Sequence, residues 1–485
     1  MRFGLSAPAI GAMPVVDTAI AVVGPVLLLA ISVIAVRLLT YWRSFLFHWP
    51  RYRKRDDIST RQLEALPVPH VKIQVTTRGS QGSTEVIARG IRNVLELAAE
   101  APAFYGRFLS VEIVTESAQQ IADIERHFSD APIRIDGLVL PEDYATENGT
   151  ALKARGLHYA VERRRAGWNQ RPGKTFIVHY DEESVMVPAE LRKLIAVLAT
   201  TDKRILEGPI YYPLEYEGAS VLCRSMEANR PVGCFECREV MEHGVPLHLH
   251  GSNLVVEEAL ENEVGWDIGH LDGHALIAED YVFGMKVFLE AGPEAFGWHG
   301  CVMLEQPPFS VRSAFKQRHR WVFGVLQGMA VTSREARFSA LSNRLRRRVV
   351  WGTRFRIATF ASGVFVGVTA LSLLPFVLLR IAQNITATGT APVSAGLAAW
   401  FAVVGLLWLG TVYIGAWYNL TEAGLPPSRR AGEVARAVAL APVAGIIESS
   451  AAAWAVMQWV AGKRGVAWLP TPKTREADNA ALAKA

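Results

Sequence analysis

Three short clusters in this 485-residue chain carry side chains able to handle a charged substrate. In Ile177-Val178-His179-Tyr180-Asp181-Glu182-Glu183-Ser184 an apolar, strand-like run ends in three acids. Alternate residues of extended backbone point to one side, so Asp181 and Glu183 can grip one hard cation through oxygen ligands, and that cation can neutralise a diphosphate. The chain has neither a GxxxxGK[ST] nor a GxGxxG loop to offer backbone amides to phosphate, which makes a metal bridge the more economical route. A solvated turn would also account for the acids taken alone. The second cluster, Glu279-Asp280 within "HALIAEDYVFGMKVF", opens an amphipathic helical pattern, where acids suit the first turn and its dipole. The third, "KQRHRWVFG", sets Gln317 and Arg320 three residues apart on one helical face, with Trp321 beside them. An arginine next to an indole offers a charge-assisted grip on phosphate beside a flat apolar platform; a basic interfacial helix would read the same way.

These clusters need a scaffold that brings them together. Short β-rich runs alternate with helical ones: "VKIQVTT", an amphipathic stretch from Glu85 to Glu100, "VEIVTE", a helix near Gln119–His127, "IRIDGLVL", a helix at Ala151–Arg164, and "TFIVHY". Such alternation predicts an α/β layer with a largely parallel sheet. Ligands of such sheets lie beyond the carboxyl ends of the strands, which is where the acids of 181–183 fall.

The remainder is apolar. Thr18–Val36 carries no charge over 19 residues and predicts a membrane-spanning helix, while further runs lie near Ile357–Leu379, Ser394–Trp417 and Ala435–Val460. Arg43, Arg51, Arg53, Lys54 and Arg55 follow the first run, only Arg2 precedes it, and Trp42, Trp49 and Tyr52 suit an interfacial belt. By the positive-inside rule the region between the first and second runs is cytoplasmic. A simple crossing by the last run would put Lys463 and Arg464 outside, and it contains Pro442 and Glu448, so a re-entrant or interfacial course with a cytoplasmic tail is the alternative. The pI near 9.0 reads as membrane-surface charge, not nucleic-acid binding. The expected divisions are an N-terminal transmembrane helix with its basic flank at 1–55, a soluble α/β domain at 56–335, interfacial and transmembrane segments at 336–465, and a tail at 466–485.

Taken in order, the strand start, the acids of 181–183, the Glu279-Asp280 pair, the Q-x-x-R-W sequence and the trailing apolar helices resemble family 2 glycosyltransferases. "VTTRG", "ENGTALKARGLHYA", "VHYDEES", "HGSN", "IAEDYVFGM" and "QRHRWVFGVLQG" are most similar to the Egghead-type β-1,4-mannosyltransferases. The resemblance implies a GT-A, Rossmann-like nucleotide-sugar domain in the cytoplasm, on a bacterial plasma membrane, held by N- and C-terminal transmembrane helices. It implies a GDP-mannose or UDP-hexose donor, a lipid-linked or membrane-associated glycan acceptor, and Mg²⁺ or Mn²⁺ at Asp181 and Glu183. Carried over by position, Asp280 is the general base of its pair with Glu279, while Gln317, Arg320 and Trp321 close over the donor diphosphate and border the acceptor. Thr77, Arg78 and Glu116 lie where the nucleotide is held, and Lys153 lies within reach of the diphosphate. Glu in place of Asp at 183 leaves the metal preference open. Transfer of one or few sugars and processive synthesis coupled to export both use these motifs, and three or four membrane segments favour the former.

Cys234-x-x-Cys237, near Cys223, His243, His248 and His250, reads either as a tetrahedral zinc site or as reduced, partly buried thiols. His248 and His250 alternate as on a strand and could line the acceptor cleft.

Overall fold

The computed structural model describes residues 14–47, 50, 58–79, 82–243, 249–386, 392–468 and 471–483. Arg2, Trp49, Arg51, Tyr52, Arg53, Lys54, Arg55 and His248 lie outside these, as do residues 387–391. The described residues contain eleven strands: β1 His70–Thr76, β2 Leu109–Thr115, β3 Arg134–Val139, β4 Thr175–Tyr180, β5 Ile205–Glu207, β6 Ile210–Tyr211, β7 Leu254–Glu257, β8 His270–Leu271, β9 His274–Ala275, β10 Phe296–Trp298 and β11 Met303–Leu304.

Seven strands form one mixed sheet in the order β10-β5-β7-β4-β1-β2-β3. Strands β4, β1, β2 and β3 run parallel, as do β5 and β10, which is the α/β layer expected. Strand β7 alone is reversed between β4 and β5, with Leu254 opposite His179. Its start therefore lies at the edge where β4 ends, and "HGSN", residues 250–253, enters the same crevice as Asp181.

The two faces of the sheet are packed differently. On one, Ile73, Val75, Val111 and Val178 meet Ile87 and Val94 of the helix Ser83–Glu100 and Leu191 and Leu194 of the helix Pro188–Thr200. The other face carries the polar alternates of the same strands, and they are buried rather than solvated. Lys72 pairs with Glu258 at 2.8 Å, Arg164 bonds Glu112 at 3.1 Å and also Glu261, and His179 meets Glu261 at 2.9 Å. Leaving one such buried charge without its partner costs on the order of 3–5 kcal/mol, so the network fixes the seating of the helices Leu152–Arg165 and Glu258–Val264 on the sheet.

Among the described residues, four helical stretches are long and apolar enough to cross a membrane: Gly24–Phe47, Asn343–Ser372, Ala399–Glu422 and Pro427–Val460. They overlap the four runs read from sequence, and large side chains such as Leu29 and Leu406 stand two-thirds exposed on them. The last differs from the rest. Along its length Glu433 pairs with Arg224 at 3.3 Å, the Ala437 carbonyl accepts from Ser225 at 2.8 Å, Glu448 pairs with Arg230 at 2.8 Å and Arg318 at 3.0 Å, and Gln458 meets His319 at 3.0 Å. The acid that made this run a poor transmembrane segment is thus answered by two arginines, one on each of the helices Arg230–His243 and Val311–Thr332.

Candidate active site

Asp181 follows directly on β4, and the turn it opens is closed locally. The Asp181 N–H donates to Ser184 Oγ at 3.0 Å and the Ser184 N–H donates to the Asp181 carbonyl at 3.1 Å. The helix Ser83–Glu100 presses on this turn: a Cβ at Gly90 would come within 2.5 Å of the Ser184 carbonyl oxygen, so only glycine permits the approach. Lys153 begins the helix Leu152–Arg165, where Leu152 holds the left-handed backbone at φ 61°, a conformation that branched side chains rarely adopt. From there Lys153 pairs with Asp181 and donates to the Gly251 carbonyl at 3.1 Å. Burial works to raise the Asp181 carboxyl, but the ammonium groups of Lys153 and Lys473 outweigh it and hold the group below the usual range.

The helix Glu279–Ala291 brings the second acid pair to the same place. A methyl group on Gly251 would meet Lys153 Nζ at 3.4 Å, Asp280 Oδ2 at 3.7 Å and Glu279 Oε1 at 3.9 Å, so the ammonium and both acids converge on one backbone position. Burial, reinforced by Glu279, pushes the Asp280 carboxyl up to about 7, and burial raises Glu279 as well. Asp280 is therefore poised to exchange a proton near neutrality.

Gln317, Arg320 and Trp321 occupy consecutive turns of the helix Val311–Thr332, which Ser310 caps through the Ser313 N–H. All three border the cleft. Arg320 has an indole neighbour, but it is Trp468, with the guanidinium 5.8 Å from the ring centre, and not Trp321. The Trp321 ring instead lies 4.8 Å from each of the guanidinium groups of Arg230 and Arg318. Burial lowers the Arg320 guanidinium, partly offset by Glu279 and Asp181.

Thr77 and Arg78 follow β1, and Glu116 follows β2. Glu116 accepts from Arg155 at 2.9 Å and lies 3.9 Å from Arg78, whose guanidinium covers the Trp468 ring at 5.1 Å. Thr77 donates to Glu182, the middle acid of its cluster. Every site residue expected from sequence, namely Thr77, Arg78, Glu116, Lys153, Asp181, Glu183, Glu279, Asp280, Gln317, Arg320 and Trp321, lines one cavity of about 990 Å³.

Sequence reading missed two groups of that cavity. Glu305, just after β11, accepts from Ser184 Oγ at 3.2 Å and from Ser252 Oγ, and burial beside Glu183 and Asp181 pushes its carboxyl up to about 8. An acid closing the strand-like "CVMLE" was the available signal. The second group is the tail. Lys473 pairs with Glu183, Thr471 accepts from Arg320 at 3.0 Å, the Lys473 carbonyl accepts from Gln306 at 2.8 Å, and Asp478 accepts from Ser310 and Ser313. Trp468 and residues 471–478 thus return over the donor acids, a closure that local spacing does not reveal.

Among the described residues no group of three or more His, Cys, Asp or Glu is arranged to hold a metal. Asp181 and Glu183 supply hard carboxylate oxygens, paired in this structure with the ammonium groups of Lys153 and Lys473, and such a donor set suits a hard divalent ion. The four cysteines are free and buried, in accord with the reduced-thiol reading of Cys234 and Cys237. Cys237 Sγ lies 3.9 Å from His250 Nε2, and His250 Nδ1 is 2.9 Å from Glu207 Oε1, which keeps the imidazole protonated well above its ordinary range despite burial. His250 borders the cavity.

Comparison with known proteins adds an independent finding. Residues 176–417 match the glycosyl transferase family group 2. The β-1,4-mannosyltransferase egh of Drosophila melanogaster is 27% identical over 266 residues, 54% of this chain and 53% of that protein. The β-1,4-mannosyltransferase bre-3 of Caenorhabditis elegans is 26% identical over 271 residues, 55% and 54% of the respective chains. The chain spans about half the length of the curated relatives it matches. Among solved structures, the mannosyltransferase PcManGT from Pyrobaculum calidifontis, in complex with GDP-Man and Mn²⁺, aligns over 86% of this chain and 98% of that one, with 14% identity and a TM-score of 0.45. S. aureus TarS 1–349 aligns over 81% and 92%, with 14% identity and a TM-score of 0.35.

Proposed function

The chain belongs to glycosyl transferase family group 2, and from that premise we propose that its cavity transfers a hexose from a nucleotide sugar to a membrane-associated acceptor, with inversion to a β-glycoside. The observation that carries this reading is the convergence of Asp280, Lys153 and Asp181 about Gly251, with Arg320 on the same cavity wall.

The acceptor hydroxyl gives its proton to Asp280 as its oxygen bonds to the anomeric carbon. The bond from that carbon to the diphosphate oxygen breaks, and the electron pair leaves with the nucleoside diphosphate. A carboxyl near neutrality suits the proton transfer, and a positioned base is worth ~10²–10⁴ in rate. Lys153 and Arg320, both shielded from bulk water, stabilise the charge that develops on the leaving group. A divalent ion, Mg²⁺ or Mn²⁺, at Asp181 and Glu183 would supply further neutralisation of the diphosphate. Thr77, Arg78 and Glu116, at the ends of β1 and β2, hold the nucleotide.

The curated relatives' names favour mannose as the sugar transferred; GDP-mannose is the donor proposed, and a UDP-hexose is the alternative. The α/β domain lies on the cytoplasmic face of a bacterial plasma membrane, and the helix Pro427–Val460, tied along its length to that domain, lies along the membrane surface instead of crossing it. A panel of GDP- and UDP-sugars presented to the purified membrane protein tests the proposal. Release of nucleoside diphosphate from one of them, with the anomeric product read by NMR, is the expected result; retention of configuration or no release from any would overturn it. A ladder of long polymer would point instead to processive synthesis.

A further inference from the structure

The cavity continues past Asp280. Its volume of about 990 Å³ reaches the upper end of single-ligand pockets, roughly 300–1,000 Å³, which leaves space beside a donor. The extension is walled by Arg37 and Tyr41 of the N-terminal helix and by Arg356, Ile357 and Phe360 of the helix Asn343–Thr386. Both helices are among those apolar enough to cross a membrane. This end of the cavity therefore joins the sugar-transfer machinery to an apolar surface.

Its charges do not balance. Glu236 accepts from Arg37 Nε at 3.1 Å, Arg37 Nη2 at 2.9 Å and Arg356 Nη2 at 3.1 Å, and Tyr41 OH donates to it at 3.3 Å. Two guanidinium groups thus share one carboxylate. Arg37 uses its remaining nitrogen on Thr359 Oγ1 at 3.1 Å, so each of its three nitrogens has a partner. Arg356 is different: its Nη1 is buried and has no hydrogen-bond partner among the described residues. A buried guanidinium nitrogen on a cavity wall, in surroundings that carry an excess positive charge, calls for an anion.

Resting on the glycosyl-transfer reading above, we propose that this end of the cavity takes the phosphate of a lipid-phosphate-linked acceptor sugar, with Arg356 as its principal donor and Arg37, fixed by Glu236 and Thr359, contributing charge. The three parts of such an acceptor match three parts of the wall in order. The sugar hydroxyl lies toward Asp280, the phosphate at Arg356, and the hydrocarbon passes Ile357 and Phe360 toward the apolar helices. A neutral glycolipid would answer the apolar wall and leave the unpaired guanidinium nitrogen as it is.

The test compares acceptors that share one sugar: a long-chain alkyl diphosphate sugar, the neutral alkyl glycoside with the same tail, and the sugar diphosphate without a tail. Each is presented to the full-length protein in detergent with GDP-mannose and, separately, UDP-glucose. The tailed diphosphate is expected to exceed both others at least tenfold in kcat/KM. Arg356→Gln should collapse its preference over the neutral glycoside toward unity, mainly through KM, and Arg356→Lys should recover part of it; thermal unfolding reports whether each variant is folded. Equal use of the neutral glycoside by the wild type, or an unchanged preference in folded Arg356→Gln, would overturn the phosphate assignment. Equal use of the tail-less diphosphate would overturn the lipid part. Should the wild type cleave no nucleotide sugar, with or without acceptor, the transfer reading itself would fall and this proposal with it.

Discussion

At the donor end of the cavity the functional groups come in short runs, 181–183, 279–280 and 317–321, each at a strand end, a helix start or along one helical face. At the opposite end Glu236 gathers Arg37 and Arg356 from 199 and 120 residues away, on helices that composition alone marks only as apolar. The contrast explains what each end can do. Strand ends and helix starts fix side chains through backbone geometry, which suits groups that must meet reacting atoms within a few tenths of an ångström. Arginines on packed helices are held by one shared carboxylate, which suits recognition of a charge.

The largest effect expected at the donor end is from removing the divalent ion proposed at Asp181 and Glu183. Chelation with EDTA should abolish turnover, with activity restored by excess Mg²⁺ or Mn²⁺. Full activity in excess chelator would show that Lys153, Lys473 and Arg320 neutralise the diphosphate unaided.

Next in size is the base. Asp280→Asn preserves shape and capping ability, so a purely structural role predicts a change of only ~0.3–1 kcal/mol from the dipole. As the general base, the same change should lower kcat by ~10²-fold or more while calorimetry finds donor affinity nearly intact. The wild-type pH profile supplies a second check. Because burial and then Glu279 push the Asp280 carboxyl up to about 7, the folded protein keeps that proton to higher pH than an ordinary aspartate does. kcat/KM should therefore fall about tenfold per pH unit below about 7 and level off above it. A profile flat from pH 5 to 8 would assign the proton transfer elsewhere.

Much of the donor end was legible because its chemistry follows local rules: alternation along β4 placed Asp181 and Glu183 together, and helical spacing placed Gln317 and Arg320 on the cleft side. What escaped depends on contacts between distant segments. The reversal of β7 follows from pairing on both sides, Leu254 against His179 and against Glu207, and no periodicity reports strand direction. Lys72, Glu112 and His179 are polar alternates along β1, β2 and β4, and only the long-range pairing with Arg164, Glu258 and Glu261 shows that they are buried. Trp321 was paired in sequence with Arg320, whereas in space its ring meets the guanidinium groups of Arg230 and Arg318.

That regrouping sharpens the prediction for Arg320. Its Nη2 donates to Thr471, and its Nε is buried without a partner among the described residues, so a planar fork remains available to the diphosphate. Arg320→Lys keeps the charge and loses the fork. A loss of about one charge-assisted hydrogen bond corresponds to roughly a tenfold fall in kcat/KM. An unchanged rate would return the Q-x-x-R-W helix to a structural role.

The smallest effect concerns the returning tail, where the donor end departs from its own local pattern. Lys473 pairs with Glu183 across 290 residues, and Asp181 and Glu183 raise its ammonium to about 12 even though burial opposes the charge. If an ion and a diphosphate take up Glu183, the ammonium loses its partner and the diphosphate becomes the nearest anion. Lys473→Ala should then raise the donor KM about three- to fivefold at saturating Mg²⁺, the size of a partly screened ionic contact of ~0.5–1 kcal/mol, with kcat changed less than KM. The contacts of Thr471 with Arg320 and of Asp478 with Ser310 and Ser313 would keep the segment in place, so the change reports the charge alone. Initial rates against donor concentration decide it. A donor KM that stays constant or falls would mean that Lys473 competes with the donor for the acids, and that the tail is a strap over the cleft and no part of its grip on the substrate.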